Sequence, residues 1–144
     1  MDAQNRVMGS YVTYLYGGDR YSDQAFVQLQ ESIRKYPKAQ IIMFRKKMHD
    51  GADGAFAQDA SSKLLILENL RKKFHCHPIY FGGTILATSL FQTKRFHPEL
   101  GLEAERDFFL RICAEKMNVL FLNKERYCSS RALEGDNTFF ENIY

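Results

Sequence analysis

The hydrophobic pattern of the first third of the chain predicts a strand, a turn, a helix and a second strand. Residues 11–16 (YVTYLY) are β-branched or aromatic apart from one leucine, which is typical of a strand. The segment 17–20 (GGDR) predicts a turn, and Ser22-Asp23 predicts a helix start, with apolar residues at positions 25, 26, 29 and 33. Pro37 ends this helix, and residues 39–44 (AQIIMF) predict a buried strand.

The remaining pattern predicts two further helices. Residues 61–74 (SSKLLILENLRKKF) place apolar side chains at positions 64, 67, 70 and 74, which is a helical spacing that would cover one face of the sheet. Residues 46–60, which are rich in glycine and alanine, predict a surface loop before this helix. His97-Pro98 ends the next segment, and the spacing of Phe108, Phe109 and Ile112 predicts a second helix with one buried face.

Acidic residues at two places in this pattern are candidates for chemistry. Asp19 follows a strand on a glycine turn, which is where open α/β sheets bind phosphates and metals. Glu103, Glu105 and Asp107 crowd the first turn of the last predicted helix, where unpaired N–H groups and the helix dipole favour negative charge. These three residues are therefore interpreted either as ordinary helix capping or as a source of a general base.

The segment Gly82-Gly83-Thr84 is a third candidate. Paired glycines after a short predicted strand permit the close approach of a ligand to the backbone. A tight turn without a ligand explains the same residues equally well.

The order of these segments resembles that of family-two glycosyltransferases with the GT-A fold. Residues 11–26 (YVTYLYGGDRYSDQAF) are similar to their strand, acidic motif and following helix, and residues 82–112 resemble their acceptor-side segment. Residues 127–144 (YCSSRALEGDNTFFENIY) are similar to the closing stretch of bacterial members that build teichoic-acid or capsule polymers. The resemblance implies an α/β fold for residues 1–144: a partial GT-A-like mixed sheet flanked by helices, without the N-terminal nucleotide-binding strand–helix units.

The resemblance also implies a role for each candidate residue. Asp19 would bind a divalent metal, manganese or magnesium, beside the donor diphosphate. Glu105 would be the catalytic base, and Gly82, Gly83 and Thr84 would bind the acceptor. The implied reaction is inverting transfer of a sugar from a nucleotide sugar to a glycan or polyol-phosphate acceptor.

The chain departs from the family pattern in both motifs. Tyr16 and Gly18 occupy the two acidic positions of the metal-binding motif, and Asp19 matches only its trailing aspartate. Ala104 takes the place of the family glutamate, and Glu105 takes that of the aspartate base, one methylene longer. A displacement near 1 Å can cost on the order of a hundredfold in rate. We therefore expect a truncated or impaired enzyme, or alternatively a non-catalytic α/β binding or assembly module derived from one.

Composition limits the partners. With 20 Lys and Arg against 17 Asp and Glu, the net charge of +3 is too small to predict a nucleic-acid partner. Two similar basic segments, 44–49 (FRKKMH) and 70–75 (LRKKFH), are interpreted either as a patch for anionic lipid at a peripheral membrane surface or as a solvated strand end and helix end.

The cysteines and the implied half-domain lead to two further expectations. Cys76, Cys113 and Cys128 are odd in number and lack CxxC spacing, which together with the lack of a signal peptide predicts reduced thiols in the cytoplasm. A half-domain would leave a sheet edge and an apolar helix face uncovered, so we expect self-association.

Overall fold

The computed structural model describes residues 6–48, 62–67, 81–112 and 114–130. Within these ranges the strands are β1 (Tyr11–Thr13), β2 (Arg20–Tyr21), β3 (Ile41–Met48), β4 (Ser62–Leu67), β5 (Thr84–Ala87) and β6 (Met117–Ser129). The helices are α1 (Ala25–Lys35), α2 (Thr88–Thr93) and α3 (Ala104–Ile112), and a 3₁₀ segment (Pro98–Glu103) leads into α3. None of the helices in the described ranges is long and apolar enough to cross a membrane.

The sheet is built around a parallel pair, β3 and β6. Ile41 pairs with Val119 and the register continues to Phe44 and Leu122, after which β-bulges on either side of Arg45 shift it so that Lys46 pairs with Tyr127. On one side, β5 pairs antiparallel with β3 and β1 pairs antiparallel with β5. The other edge of β6 is shared, because β4 pairs with its first half and β2 with its second.

The strand directions bring three carboxyl ends together. Since β1 and β3 are both antiparallel to β5, and β6 is parallel to β3, strands β1, β3 and β6 run the same way. The segment that follows β1 therefore lies at the same end of the sheet as the last residues of β6.

Helices cover both faces of this sheet. Alternate residues of β3 and β6 point to opposite faces, as the two-residue period of a strand requires. On one face Ile42, Phe44, Leu120 and Leu122 form a core with α1 through Ala25, Leu29 and Ile33. On the other face the core includes Ile41, Met43, Val119, Phe121, Leu90 and Phe91 of α2, and Phe108, Phe109 and Ile112 of α3. The mixed α/β architecture with flanking helices confirms the predicted fold class at the level of a partial glycosyltransferase-like fold.

The predicted first helix is confirmed with adjusted bounds. α1 begins at Ala25, whose N–H donates to the carbonyl of Ser22, and it ends at Lys35, just before Pro37. Phe26 belongs to the apolar pattern that predicted this helix, yet 52% of its surface is exposed. Neighbouring Val27 is exposed as well.

The predicted helix over residues 61–74 is wrong where the structure describes it. Ser62–Leu67 forms β4, which pairs antiparallel with β6 from Ser62 opposite Leu122 to Leu67 opposite Met117. The leucines of this segment fit a helical spacing, but they belong to a continuous apolar run that is equally compatible with a strand. Pairing with the open edge of β6 decides between the two, and residues 68–74 lie outside the described residues.

The predicted loop over residues 46–60 is wrong at its start, because β3 continues through Met48. Lys46 is only 3% exposed, so it adds no exposed charge to the predicted basic patch. Arg45 donates to Asn123 Oδ1 at 3.0 Å. Residues 49–61 and the second basic segment lie outside the described residues.

Candidate functional site

A turn follows β1 as predicted, but its bounds differ: β1 ends at Thr13 instead of residue 16, and Arg20 already belongs to β2. Tyr14 makes a parallel bridge to Gly82 just beyond the strand, and the N–H of Asp19 donates to the carbonyl of Tyr16 at 3.0 Å. Gly18 lies inside this turn with φ of 86°, a conformation that suits glycine. The turn places the Asp19 carboxylate beside the carboxyl end of β6.

Asp19 receives hydrogen bonds on both carboxylate oxygens. The Tyr127 hydroxyl donates to Oδ2 at 2.5 Å. The backbone N–H and the hydroxyl of Ser130 reach Oδ1 at 2.8 Å and 2.9 Å. We call Asp19, Tyr127 and Ser130 the Asp19 cluster. Hydrogen bonds to a charged acceptor are the strong ones in proteins, so this cluster ties the turn after β1 to the end of β6.

Gly82 and Gly83 pack against the side chain of Tyr127. A Cβ built on Gly82 would overlap the ring and hydroxyl of Tyr127, and one on Gly83 would lie 3.0 Å from the Tyr127 Cβ. The close approach that was expected of a ligand is thus made by Tyr127. Thr84 is buried, and its carbonyl accepts a hydrogen bond from the Thr13 hydroxyl at 3.0 Å. Acceptor binding by Gly82, Gly83 and Thr84 stays a prediction.

Tyr127 was not among the candidate residues predicted from the sequence. Besides Asp19 and the two glycines, its ring meets Tyr21 edge-on, with 4.8 Å between the centroids. Tyr21 is itself fixed by a 2.6 Å hydrogen bond between its hydroxyl and that of Thr13. The one available signal was the pair of adjacent glycines, which predicts a close neighbour without identifying it.

Glu105 is the acidic residue of α3 that contacts the segment between β1 and Asp19. The Tyr16 hydroxyl donates to Glu105 Oε2 at 2.5 Å. Glu103, the last residue of the 3₁₀ segment, lies 3.7 Å from Arg106 of α3, and Asp107 pairs with Arg111 at 2.8 Å within α3. The structure thus brings the start of α3 against the Asp19 turn, and the role of Glu105 as a base stays a prediction.

Aromatic packing fixes the position of α3. Phe96, which precedes the 3₁₀ segment, stacks on Phe108 with 4.2 Å between the centroids. The Arg111 guanidinium donates to the carbonyl of Arg95 at 2.5 Å. As predicted, Phe108, Phe109 and Ile112 are buried. These contacts hold the first turn of α3, and with it Glu105, at one place relative to the sheet.

Tyr14 packs beside Tyr16, the hydrogen-bond donor to Glu105. Its ring stacks with that of Tyr16 and also contacts Phe81. Its buried hydroxyl has no hydrogen-bond partner among the described residues. Burial, followed by the negative charge of Glu105, raises the pKa of the Tyr14 phenol well above its usual value.

The predicted metal does not fit the donor set that the structure describes. The Asp19 carboxylate already accepts three hydrogen bonds from the protein, and Tyr16 and Gly18 supply no second carboxylate. Among the described residues, no three His, Cys, Asp or Glu side chains group as a metal site. The binding of manganese or magnesium by Asp19 stays a prediction.

Comparison with known proteins gives a match at the level of structure only. No protein-family model and no curated protein sequence matches the chain. The crystal structure of Staphylococcus aureus TarS residues 1–349 matches with a TM-score of 0.67 and 15% identity, over 89% of this chain and 38% of that one. The same TarS region in complex with UDP matches with a TM-score of 0.67 and 14% identity, over 96% and 40%.

These matches establish a likeness of fold. The chain shares the architecture of part of TarS, a teichoic-acid glycosyltransferase. It spans about two fifths of the length of the TarS chains that it matches. The resemblance to glycosyltransferases is thus confirmed in the fold.

Replacing Gly82 with alanine tests the contact with Tyr127. Because the new methyl group would overlap the Tyr127 ring, we expect Gly82→Ala to destabilise the protein by about 1–3 kcal/mol in urea denaturation. Gly17→Ala is the matched control, since nothing lies within 4 Å of its built Cβ, and it should change stability by less than about 0.5 kcal/mol. Equal effects of the two substitutions would contradict the described packing.

The buried tyrosines predict a loss of stability in alkali. Burial raises the pKa of Tyr11, Tyr14 and Tyr21 above their usual value of 10.0. Above pH 10 the unfolded chain therefore binds fewer protons than the folded one, so the free energy of unfolding falls as the pH rises, while below pH 10 the contribution is fully present. Urea denaturation between about pH 9 and pH 11 measures this slope, and Tyr14→Phe should reduce it. A flat or rising profile would contradict the burial of these phenols.

Proposed function

We propose that this chain is glycosyltransferase-like and forms the acceptor-side portion of an inverting enzyme of family two with the GT-A fold. The observation that supports this most is the contact between Tyr16 and Glu105. It joins the two segments whose order resembles that family, and it lies at the carboxyl end of β1, where α/β proteins place their ligands. The fold likeness to TarS agrees with the proposal at a coarser level.

In the proposed reaction Glu105 is the general base. The acceptor oxygen bonds to the anomeric carbon of the donor sugar, its proton passes to Glu105, and the bond from that carbon to the diphosphate oxygen breaks. The nucleoside diphosphate leaves with that electron pair. Asp19 keeps the turn on the donor side in place through Tyr127 and Ser130, and the Gly82-Gly83-Thr84 segment borders the acceptor.

The proposed partners follow from the same likeness. Because one matching TarS structure is a complex with UDP, we assign a uridine nucleotide sugar as the first donor to test. The acceptor would be a glycan or polyol-phosphate in the cytoplasm or at the membrane surface. Self-association belongs to this proposal too, and the exposure of Phe26 and Val27 on α1 supports it.

The Asp19 cluster favours a second function. Tyr127 and Ser130 donate three hydrogen bonds to the carboxylate that the family resemblance assigns to the metal. In the second proposal the chain is a non-catalytic binding or assembly module, and Asp19 serves only to join β1 to β6.

A titration monitored by NMR separates these two functions. UDP-, GDP- and CDP-sugars are added to the ¹⁵N-labelled chain with and without manganese. The glycosyltransferase proposal predicts weak binding, with a Kd nearer millimolar than micromolar, that shifts amide signals of the 17–20 turn and of the start of α3. We expect weak binding because the chain spans about two fifths of the length of the TarS chains, and a smaller part of the fold would make fewer contacts with the sugar.

Three other results of this titration would lead to different conclusions. The absence of any shift at millimolar sugar would favour the non-catalytic module. Shifts confined to a distant surface would contradict the proposed site. Tight binding that requires manganese would show that Asp19 binds a metal in spite of its hydrogen bonds.

A further inference from the structure

We infer that Tyr16 is a positioning residue for Glu105, and that the two side chains form a matched pair. The importance of this pair to catalysis rests on the proposed function, but the contact between the two side chains is independent of it. The Tyr16 hydroxyl donates to Glu105 Oε2 at 2.5 Å, between residues 89 positions apart in the sequence. The bond joins the segment after β1 directly to the first turn of α3.

The charges explain why a phenol suits position 16. An acidic side chain reaching the same place would put two carboxylates in contact, and like charges at that distance cannot both remain ionised. A phenol instead donates a hydrogen bond to the carboxylate and carries no negative charge of its own. Tyr16 thus holds the Glu105 carboxylate in place without bringing a second negative charge beside it.

The hydrogen bond from Tyr16 distinguishes the two carboxylate oxygens of Glu105. Oε2 receives the Tyr16 hydroxyl, whereas Oε1 accepts no hydrogen bond within the part of the chain that the structure describes. Oε1 is therefore the oxygen that takes the proton of the acceptor. Tyr16 fixes the carboxylate in the orientation that leaves Oε1 available.

Tyr16 is itself held on two sides. Its carbonyl accepts the N–H of Asp19 at 3.0 Å, and its ring stacks with Tyr14 at 6.4 Å between centroids. The turn that contains Asp19 therefore sets the position of the Tyr16 hydroxyl. Through this contact the Asp19 cluster and the candidate base form one connected arrangement.

Carbodiimide labelling of carboxyl groups tests the pair without any substrate. Wild-type chain, Tyr16→Phe and Tyr14→Phe are treated with a carbodiimide and glycine ethyl ester near neutral pH, and mass spectrometry of the fragments gives a labelling rate for each carboxyl group. We expect Glu105 to react roughly tenfold faster in Tyr16→Phe, because the loss of a hydrogen bond to a charged acceptor frees the carboxylate oxygen that Tyr16 contacts.

Two controls accompany this measurement. Tyr14→Phe removes a neighbouring hydroxyl that makes no hydrogen bond to Glu105 and should leave the Glu105 rate within about twofold. The exposed Glu103 should react equally in all three proteins. An unchanged Glu105 rate in Tyr16→Phe would overturn the inference.

A reciprocal experiment applies if Tyr16→Phe fails to fold. Glu105→Ala removes the acceptor, so N-acetylimidazole should acetylate the Tyr16 hydroxyl several-fold faster than in the wild-type chain. Equal acetylation would overturn the pair. If the labelling confirms the pair while the sugar titration shows no binding, the proposed function fails and the inferred contact stands. If instead the sugar titration shows binding while the labelling shows no effect of the pair, only the role of Tyr16 is rejected.

Discussion

The parallel pairing of β3 with β6 is the interaction on which the rest of the structure depends. Its first half, Ile41–Phe44 beside Val119–Leu122, supplies apolar side chains to both faces of the sheet. After the bulges at Arg45, its second half brings Tyr127 next to Lys46 and leads to Ser130. Parallel strands end at the same edge, so this pairing also decides that the polar residues of β6 meet the turn that follows β1.

The carboxyl end of the sheet holds both structural contacts and the candidate chemical groups. Tyr127 fills the space above Gly82 and Gly83 and donates to Asp19, so residues that the family resemblance assigns to ligands are engaged with one another. Glu105 is connected to this cluster through Tyr16, whose hydroxyl contacts one oxygen of the Glu105 carboxylate and leaves the other available. In the proposed function Glu105 would therefore be the reacting carboxylate, while Asp19 would act through the geometry of the turn.

Local patterns in the sequence predicted the elements that local interactions determine. The turn at Asp19, the helix after Ala25 and the buried face at Phe108 follow from turn chemistry and from apolar spacing. Ser62–Leu67 was predicted as a helix because its pairing with β6 cannot be inferred from a short apolar run. In the candidate site, Asp19 was proposed from its place after a strand, and Glu105 was selected among three acidic residues by the family resemblance; the roles of both stay predictions. Their partners Tyr127 and Tyr16 could not be predicted, because those contacts span 108 and 89 residues of sequence.

The most direct test of this account is a nuclear Overhauser spectrum of the labelled chain, because it measures contacts between protons without any substrate or substitution. We predict cross-peaks from the Tyr127 ring to the α-protons of Gly82 and Gly83, and from the Tyr16 ring to the side chain of Glu105. Both sets together would establish that the chain's own side chains organise the carboxyl end of the sheet. A spectrum in which both sets are absent, although the β3–β6 cross-peaks are present, would contradict the account.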